Sequence, residues 1–356
     1  MMNNGKKFLS VATPEDLAEF VQETGESRFR AGQIYNWITK KWIVDPDKMS
    51  NLPASVRENL KQYFVCGGVT ILQEDTAGDG SRKMLLQLTD AETVECATIP
   101  AEDGRLTFCL SSQVGCPVRC AFCASGANGF TRNLEAGEIV EEFLLLCRQS
   151  GKTPDNIVMM GVGEPLLNYE NLIEALETIC NPEGMGIAQR RVTISTSGWV
   201  PGIRSLAQHG RQWNLAVSMH GADDKTRALL IPTRFRRDIR EILKACREHR
   251  EATGRLLTFE YVLLAGVNDS QLQAQRFAKL AGEAKAKVNL IPYNKAHGAF
   301  ERPSKEVIKR FENALKTLHI PVTTRVEKGS ESSAACGQLR ASCRAAAKAP
   351  VNREEQ

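Results

Sequence analysis

From residue 106 onward the sequence alternates short β-type runs with amphipathic helical runs, and this alternation constrains the fold more than any other feature. The β-type runs are residues 106–110, 156–160, 191–195, 213–218, 257–263, 287–291 and 322–325. Helical periodicity marks residues 138–148, 169–178, 238–249, 271–281 and 305–318. Strands separated by helices imply a parallel sheet with helices outside it, either doubly wound or closed toward a barrel. Before this region the pattern differs. Residues 13–64 read as three helices, the first opened by Thr13-Pro14-Glu15-Asp16, a cap with proline in the first turn. Residues 65–100 switch to period two around Ala77-Gly78-Asp79-Gly80, a hairpin signal, with a third strand at 93–99 that carries Glu95. The chain therefore divides into a helical accessory domain (1–64), a β-hairpin linker (65–100), a catalytic α/β domain (101–340) and a basic flexible tail (341–356).

In a barrel, chemistry sits at the C-terminal ends of the strands, and the unusual residues of this sequence fall there. The most specific is Cys116-Pro117-Val118-Arg119-Cys120-Ala121-Phe122-Cys123, three thiols at gaps of three and two. Thiolates at such spacing suit an iron–sulfur cubane, and three ligands for four irons leave one iron open. A structural zinc site would want a fourth ligand, usually as a second pair, and none follows nearby. Further candidates at strand ends are Gly163-Glu164, Ser195, Ser218-Met219-His220 and Asn294. Singly each is bland, since a glycine after a strand is usually only a turn. Together they resemble the few convergent polar groups of a cofactor site.

There are eleven cysteines, and no secretory segment opens the chain, so a reducing, cytoplasmic setting is expected. No apolar run is long enough to span a bilayer. Cys109 and Cys336 stand out by position. Cys66, Cys96, Cys147, Cys180, Cys246 and Cys343 read as packing residues. The net charge of +4 is modest. Basic residues nevertheless cluster at Arg28, Arg30, Lys40 and Lys41, at Arg234, Arg236, Arg237 and Arg240, and at Arg340, Arg344 and Lys348. Nucleic-acid binders meet phosphates with such clusters, although any one of them is more often a solvated helix face.

The cysteine triad resembles that of the radical S-adenosylmethionine (SAM) superfamily. The flanking segments Ser111-Ser112-Gln113-Val114-Gly115, Gly129-Phe130-Thr131-Arg132-Asn133-Leu134, Met160-Gly161-Val162-Gly163-Glu164-Pro165-Leu166 and Ala334-Ala335-Cys336-Gly337-Gln338-Leu339 are similar to the RlmN family of RNA adenine methyltransferases, sister to Cfr. The likeness runs from about Arg28 to Leu339. It implies a partial (β/α)6 barrel in which Cys116, Cys120 and Cys123 hold a 4Fe-4S cluster. Gly163, Glu164, Ser195, Ser218, Met219, His220 and Asn294 match the family's SAM contacts. Cys336 matches the cysteine that becomes methylated, Cys109 the one that later forms a transient disulfide with it, and Glu95 the proton acceptor. The implied scheme methylates Cys336 from one SAM, activates that methyl with a radical from a second, adds it to adenine and releases the product by thiol–disulfide exchange.

The implied substrates are 23S rRNA at the peptidyl transferase centre and tRNA next to the anticodon, methylated at adenine carbon 2. The implied partners are RNA and an external one-electron donor such as flavodoxin, and the expected state is a monomer off the membrane. Two departures from the family pattern stand out: Ser218-Met219-His220-Gly221 replaces Ser-Leu-His-Ala, and Ser330-Glu331-Ser332-Ser333 replaces an Asp-Ile-Asp approach to Cys336. Two alternatives stay open at this point. One is methylation at carbon 8, as in the sister group; the other is a non-catalytic iron–sulfur or zinc protein that binds RNA.

Overall fold

The structure is a computed structural model, and it describes residues 5–127, 129–294 and 299–325. Its N-terminal helices are α1 (Pro14–Glu23), α2 (Phe29–Thr39) and α3 (Ala54–Tyr63). The expected cap is in place: the Asp16 N–H donates to Thr13, and the Asp16 carboxylate accepts from the Thr13 N–H. Leu17, Phe20, Ile34, Trp37, Val56 and Leu60 are buried in the same hydrophobic core that runs through the rest of the chain.

Strands β1 (Thr70–Thr76), β2 (Arg82–Gln87) and β3 (Thr93–Pro100) are antiparallel, with the first turn closed by the Gly80 N–H on the Ala77 carbonyl. Strand β3 pairs antiparallel with β4 (Leu106–Cys109), so all three extend the main sheet. The chain then forms a small hairpin, β5 (Gln113–Gly115) and β6 (Phe130–Asn133), whose connecting loop carries the cysteine triad and the short helix α4 (Ala124–Ala127). This hairpin is not anticipated from the sequence.

From α5 (Ala136–Ser150) onward the alternation is regular. It continues through β7 (Asn156–Met159), α6 (Tyr169–Cys180), β8 (Val192–Thr196), α7 (Val200–His209) and β9 (Asn214–Ser218). Helices α8 (Asp224–Leu230) and α9 (Ile239–Thr253) precede β10 (Leu257–Leu263), α10 (Gln271–Ala284), β11 (Lys287–Pro292), α11 (Lys305–Thr317) and β12 (Val322–Thr324). The strand order is β4-β7-β8-β9-β10-β11-β12, parallel at every pairing. A doubly wound sheet would reverse direction at a switch point. A monotonic order with right-handed crossovers puts every helix on one face and curls the sheet toward a barrel. The fold is thus a partial (β/α)6 barrel.

The two faces of its strands differ. Leu106, Phe108, Ile157, Met159, Val192, Ile194, Leu215, Val217, Phe259 and Leu290 alternate toward the helices and join the main core. The intervening positions, such as Thr107, Thr193, Ser195, Asn214, Ser218, Thr258 and Asn289, are mostly polar and half-buried. The lumen is therefore a polar, partly accessible trough.

Candidate active site

The cysteine loop is held by its hairpin. The Cys116 N–H donates to the Gly129 carbonyl at 3.1 Å, and a Cβ on Gly115 would lie 2.0 Å from that oxygen, so the close crossing requires glycine. Arg132 clamps the returning strand to α5 through both oxygens of Glu138 (2.7 and 2.8 Å). The loop folds over the C-terminal strand ends. Val118 packs with Leu230, Ile231, Val262 and Tyr293, and the Phe122 ring meets His220 edge-on at 4.8 Å. The Ala121 N–H donates to the Leu230 carbonyl at the end of α8 (2.9 Å).

Burial pushes the Cys116 thiol up to about 12, and the charges of Cys123 and Glu164 add to that. Cys120 is driven well above the ordinary thiol range by burial, then by Cys123, Cys116 and Glu164, with Arg227 opposing. The three sulfurs, Glu164 and Arg227 thus share one electrostatic neighbourhood. Thiols this reluctant to ionise release their protons when a metal takes their place. The fit to a cluster is favourable: one loop supplies three thiols, and the buried Ser125 hydroxyl two residues on has no protein partner. Among the described residues no trio of His, Cys, Asp or Glu lies close enough to hold a single metal ion. A cubane spreads its ligands further apart than one zinc does and does not need such a trio.

Next to the loop, segment 110–113 is stitched to 161–164. The Ser112 and Gln113 N–H groups donate to the Val162 carbonyl, and the Glu164 N–H donates to Gln113 Oε1 at 2.8 Å. Gly163 has φ +116°, and a Cβ there would lie 2.6 Å from Ser112 Oγ, so only glycine fits. Glu164 is buried, which raises its carboxyl pKa. Its Oε2 accepts from the Ser197 N–H (2.6 Å) and its Oε1 from the Leu166 N–H (3.2 Å). The side chains of Ser197 and Thr196 also hydrogen-bond this carboxylate and oppose the upward shift.

Ser195 lies on the lumen face of β8 and Ser218 ends β9. Met219 is different: its side chain is fully buried in the main core, and its carbonyl accepts from Arg227. His220 sits at φ +54°, a strained position for a non-glycine residue and one often found at functional sites. Its Nδ1 accepts from the Val262 N–H (3.1 Å), and burial, aided by Arg227, lowers its pKa to about 3, so the ring is neutral. Asn294 follows β11 and accepts from Arg302 (2.7 Å).

Cys109 ends β4 opposite Ala97, which places it on the same sheet face as Glu95. The Ser111 hydroxyl donates to the Glu95 carbonyl (2.6 Å) and accepts from the Val162 N–H (2.7 Å), joining β3 to the Gly163-Glu164 turn. The Glu95 carboxylate is buried, 3.8 Å from Lys83 Nζ. Cys336 lies outside the described residues. Cys66, Cys96, Cys147, Cys180 and Cys246 are partly or fully buried with thiol pKa values raised chiefly by burial, in keeping with packing roles.

Two charged residues escape a reading of the sequence. Arg227 is fully buried; it donates to the carbonyls of Ser218 (3.0 Å), Met219 (2.5 Å) and Ser197 (3.0 Å). It thereby ties the ends of β8 and β9 to the helix that receives the cysteine loop. Glu260 faces the lumen opposite Ser218, with Asn289 Nδ2 at 3.3 Å, and burial raises its carboxyl pKa. The only sequence hint is a carboxylate inside the otherwise apolar run of β10.

A triad loop folded over the strand ends of a (β/α)6 barrel marks a radical SAM enzyme, and residues 110–278 match the radical SAM superfamily. Such enzymes use a 4Fe-4S cluster and SAM. Residues 9–66 match the ribosomal RNA large subunit methyltransferase N-terminal domain. The chain is 41% identical over 341 residues to a probable dual-specificity RNA methyltransferase RlmN of Akkermansia muciniphila, covering 94% of this chain and 95% of that one. It is also 41% identical to the dual-specificity RNA methyltransferase RlmN of Syntrophotalea carbinolica, covering 92% of this chain and 88% of the other. A crystal structure of a radical SAM methyltransferase from Sphaerobacter thermophilus superposes with a TM-score of 0.88 at 42% identity, covering 93% and 98% of the two chains. The chain belongs to the RlmN family.

Proposed function

We propose that this protein methylates carbon 2 of an adenosine in 23S rRNA at the peptidyl transferase centre, and in tRNA next to the anticodon. The observation that carries this reading is the shared lumen face of Cys109 and Glu95, with the Glu95 backbone carbonyl bridged by the Ser111 hydroxyl to the Val162 N–H just before Gly163-Glu164. The "dual-specificity" in the relatives' names supports two RNA classes. Cys116, Cys120 and Cys123 would hold the cluster, and Gly163, Glu164, Ser195, Ser218, His220 and Asn294 would hold SAM. Met219, whose side chain is buried away from the lumen, would act through its backbone. Together these cofactors supply radical chemistry that can reach an adenine ring carbon too unreactive for polar methyl transfer.

The chain's own residues do the rest. Cys336 carries the methyl carbon to the ring. Glu95, on the wall beside Cys109, accepts the ring proton. The Cys109 thiolate then attacks the Cys336 sulfur: the sulfur–carbon bond breaks as the disulfide forms, the freed carbon takes up a proton to become the ring methyl, and the unpaired electron of the adduct would return to the oxidised cofactor. The target base is flipped from its stack to reach the trough. Residues 1–64 would serve as an RNA-binding accessory domain, 65–100 as the linker, 101–340 as the catalytic unit and 341–356 as a basic tail. A cytoplasmic monomer reduced by a flavodoxin-type donor completes the proposal. No helix among the described residues is long and apolar enough to cross a membrane.

The test is mass spectrometry of rRNA and tRNA transcripts after anaerobic turnover with SAM. A methyl on adenine carbon 2 is expected; a methyl on carbon 8, or none, would overturn the reading.

A further inference from the structure

Two of the three basic clusters in the sequence fall among the described residues, and the middle one stands beside the strand ends that form the site. In the N-terminal cluster, Lys40 Nζ donates to the Gly184 carbonyl (2.7 Å), Lys41 sits 3.5 Å from the Trp37 ring centre, and Arg30 bonds Gln33. The tail cluster lies outside the described residues. In the middle cluster Arg240 is taken by Glu283, which also binds Arg247. Arg234, Arg236 and Arg237 are in none of the ion pairs formed among the described residues. Arg237 donates to the carbonyls of Arg234 and Arg236 (3.0 Å each) and Arg236 to that of Ile231 (3.3 Å).

These arginines are ordered by aromatic rings instead of carboxylates. The Arg237 guanidinium lies 4.4 Å from the Trp199 ring centre, Trp199 meets Phe235 edge-on at 5.7 Å, and Arg234 lies 5.1 Å from the Phe235 ring. Stacking on a ring orients a guanidinium without neutralising it, so the charge and the N–H groups not turned to backbone carbonyls stay available to phosphate. The ladder stands at the mouth of the barrel. Trp199 directly follows the Ser195-Thr196-Ser197-Gly198 end of β8, and its N–H donates to Thr196 Oγ1. Asp238 is the nearest acid in sequence and is exposed, and Asp224 is held by the Ile239 N–H.

We infer that the Arg234–Phe235–Trp199–Arg237 ladder is a docking surface for the sugar–phosphate backbone of the RNA strand leading into the active site. This rests on the reading that the substrate is RNA and specifies where it is gripped. The test compares the full-length wild type with R234A/R237A and with R240A, whose guanidinium is already committed. Binding to an RNA transcript is followed by fluorescence anisotropy from about 50 to 300 mM salt. The double variant is expected to bind about tenfold more weakly at the lower salt. Its slope of log affinity against log salt should flatten by about 1.4, near 0.7 for each single-strand phosphate that no longer meets an arginine. R240A should match the wild type. If R234A/R237A keeps wild-type affinity and slope while the wild type binds and methylates RNA, the ladder assignment fails and the RNA reading stands. If the wild type neither binds nor methylates RNA, both fail.

Discussion

The two faces of the barrel strands carry opposite chemistry within the same few residues. On β4, Phe108 points into the helical shell and meets Phe143 edge-on at 5.9 Å, while Thr107 and Cys109 face the lumen. On β8, Ile194 is buried against helices while Ser195 beside it is half-exposed in the trough. The outward face holds the fold through buried apolar area. The inward face gives up that stabilisation so that polar groups and a thiol can be presented to a ligand. In this protein stability and chemistry are separated by a period of two.

Three measurements put that separation at risk. Phe108→Ala should cost about 3–5 kcal/mol of unfolding free energy, the usual penalty for emptying a buried aromatic site; a loss under about 1 kcal/mol in a denaturant titration would show that the outer face is not the stabilising one. The shell also hides a titratable group: His249 on α9 is fully buried, both ring nitrogens lack protein partners, and burial lowers its pKa to about 4. Between the ordinary histidine pKa and that value the unfolded chain takes up a proton that the folded chain refuses. Stability should therefore fall as pH drops from about 6.5 to 4, by up to about 1.4 kcal/mol per unit from this residue. His249→Leu should flatten that slope, and an unchanged slope would clear His249 of the effect. The smallest change belongs to the lumen. Ser195→Ala should shift folding stability by no more than about 1 kcal/mol yet weaken SAM binding by about tenfold, the worth of one hydrogen bond. Calorimetric titration with SAM reads that loss directly, and unaltered affinity would remove Ser195 from the site.

Much of this is legible from periodicity. The seven parallel strands lie within a residue or two of their expected bounds, because alternating strands and amphipathic helices keep their periods over long stretches. Whether the sheet is doubly wound or a barrel cannot be read that way, since strand order is a long-range property. The β5–β6 hairpin escapes because strands of three and four residues around a Gly115 crossing carry too little alternation to register. Arg227 and Glu260 escape for another reason. A charge in a helix or strand reads as a solvated position, and only the fold reveals that Arg227 spans three carbonyls while Glu260 faces the trough. Sequence spacing likewise makes Arg240 look equivalent to Arg234 and Arg237, although Glu283 claims it.

Product release in the proposed mechanism turns on one thiol, Cys109, on the lumen wall beside Glu95. The decisive experiment is anaerobic turnover of Cys109→Ala with SAM, reductant and an RNA transcript, followed by denaturing electrophoresis. A covalent protein–RNA adduct that persists through denaturation is expected. Free methylated RNA at the wild-type yield, with no adduct, would contradict the role given to Cys109.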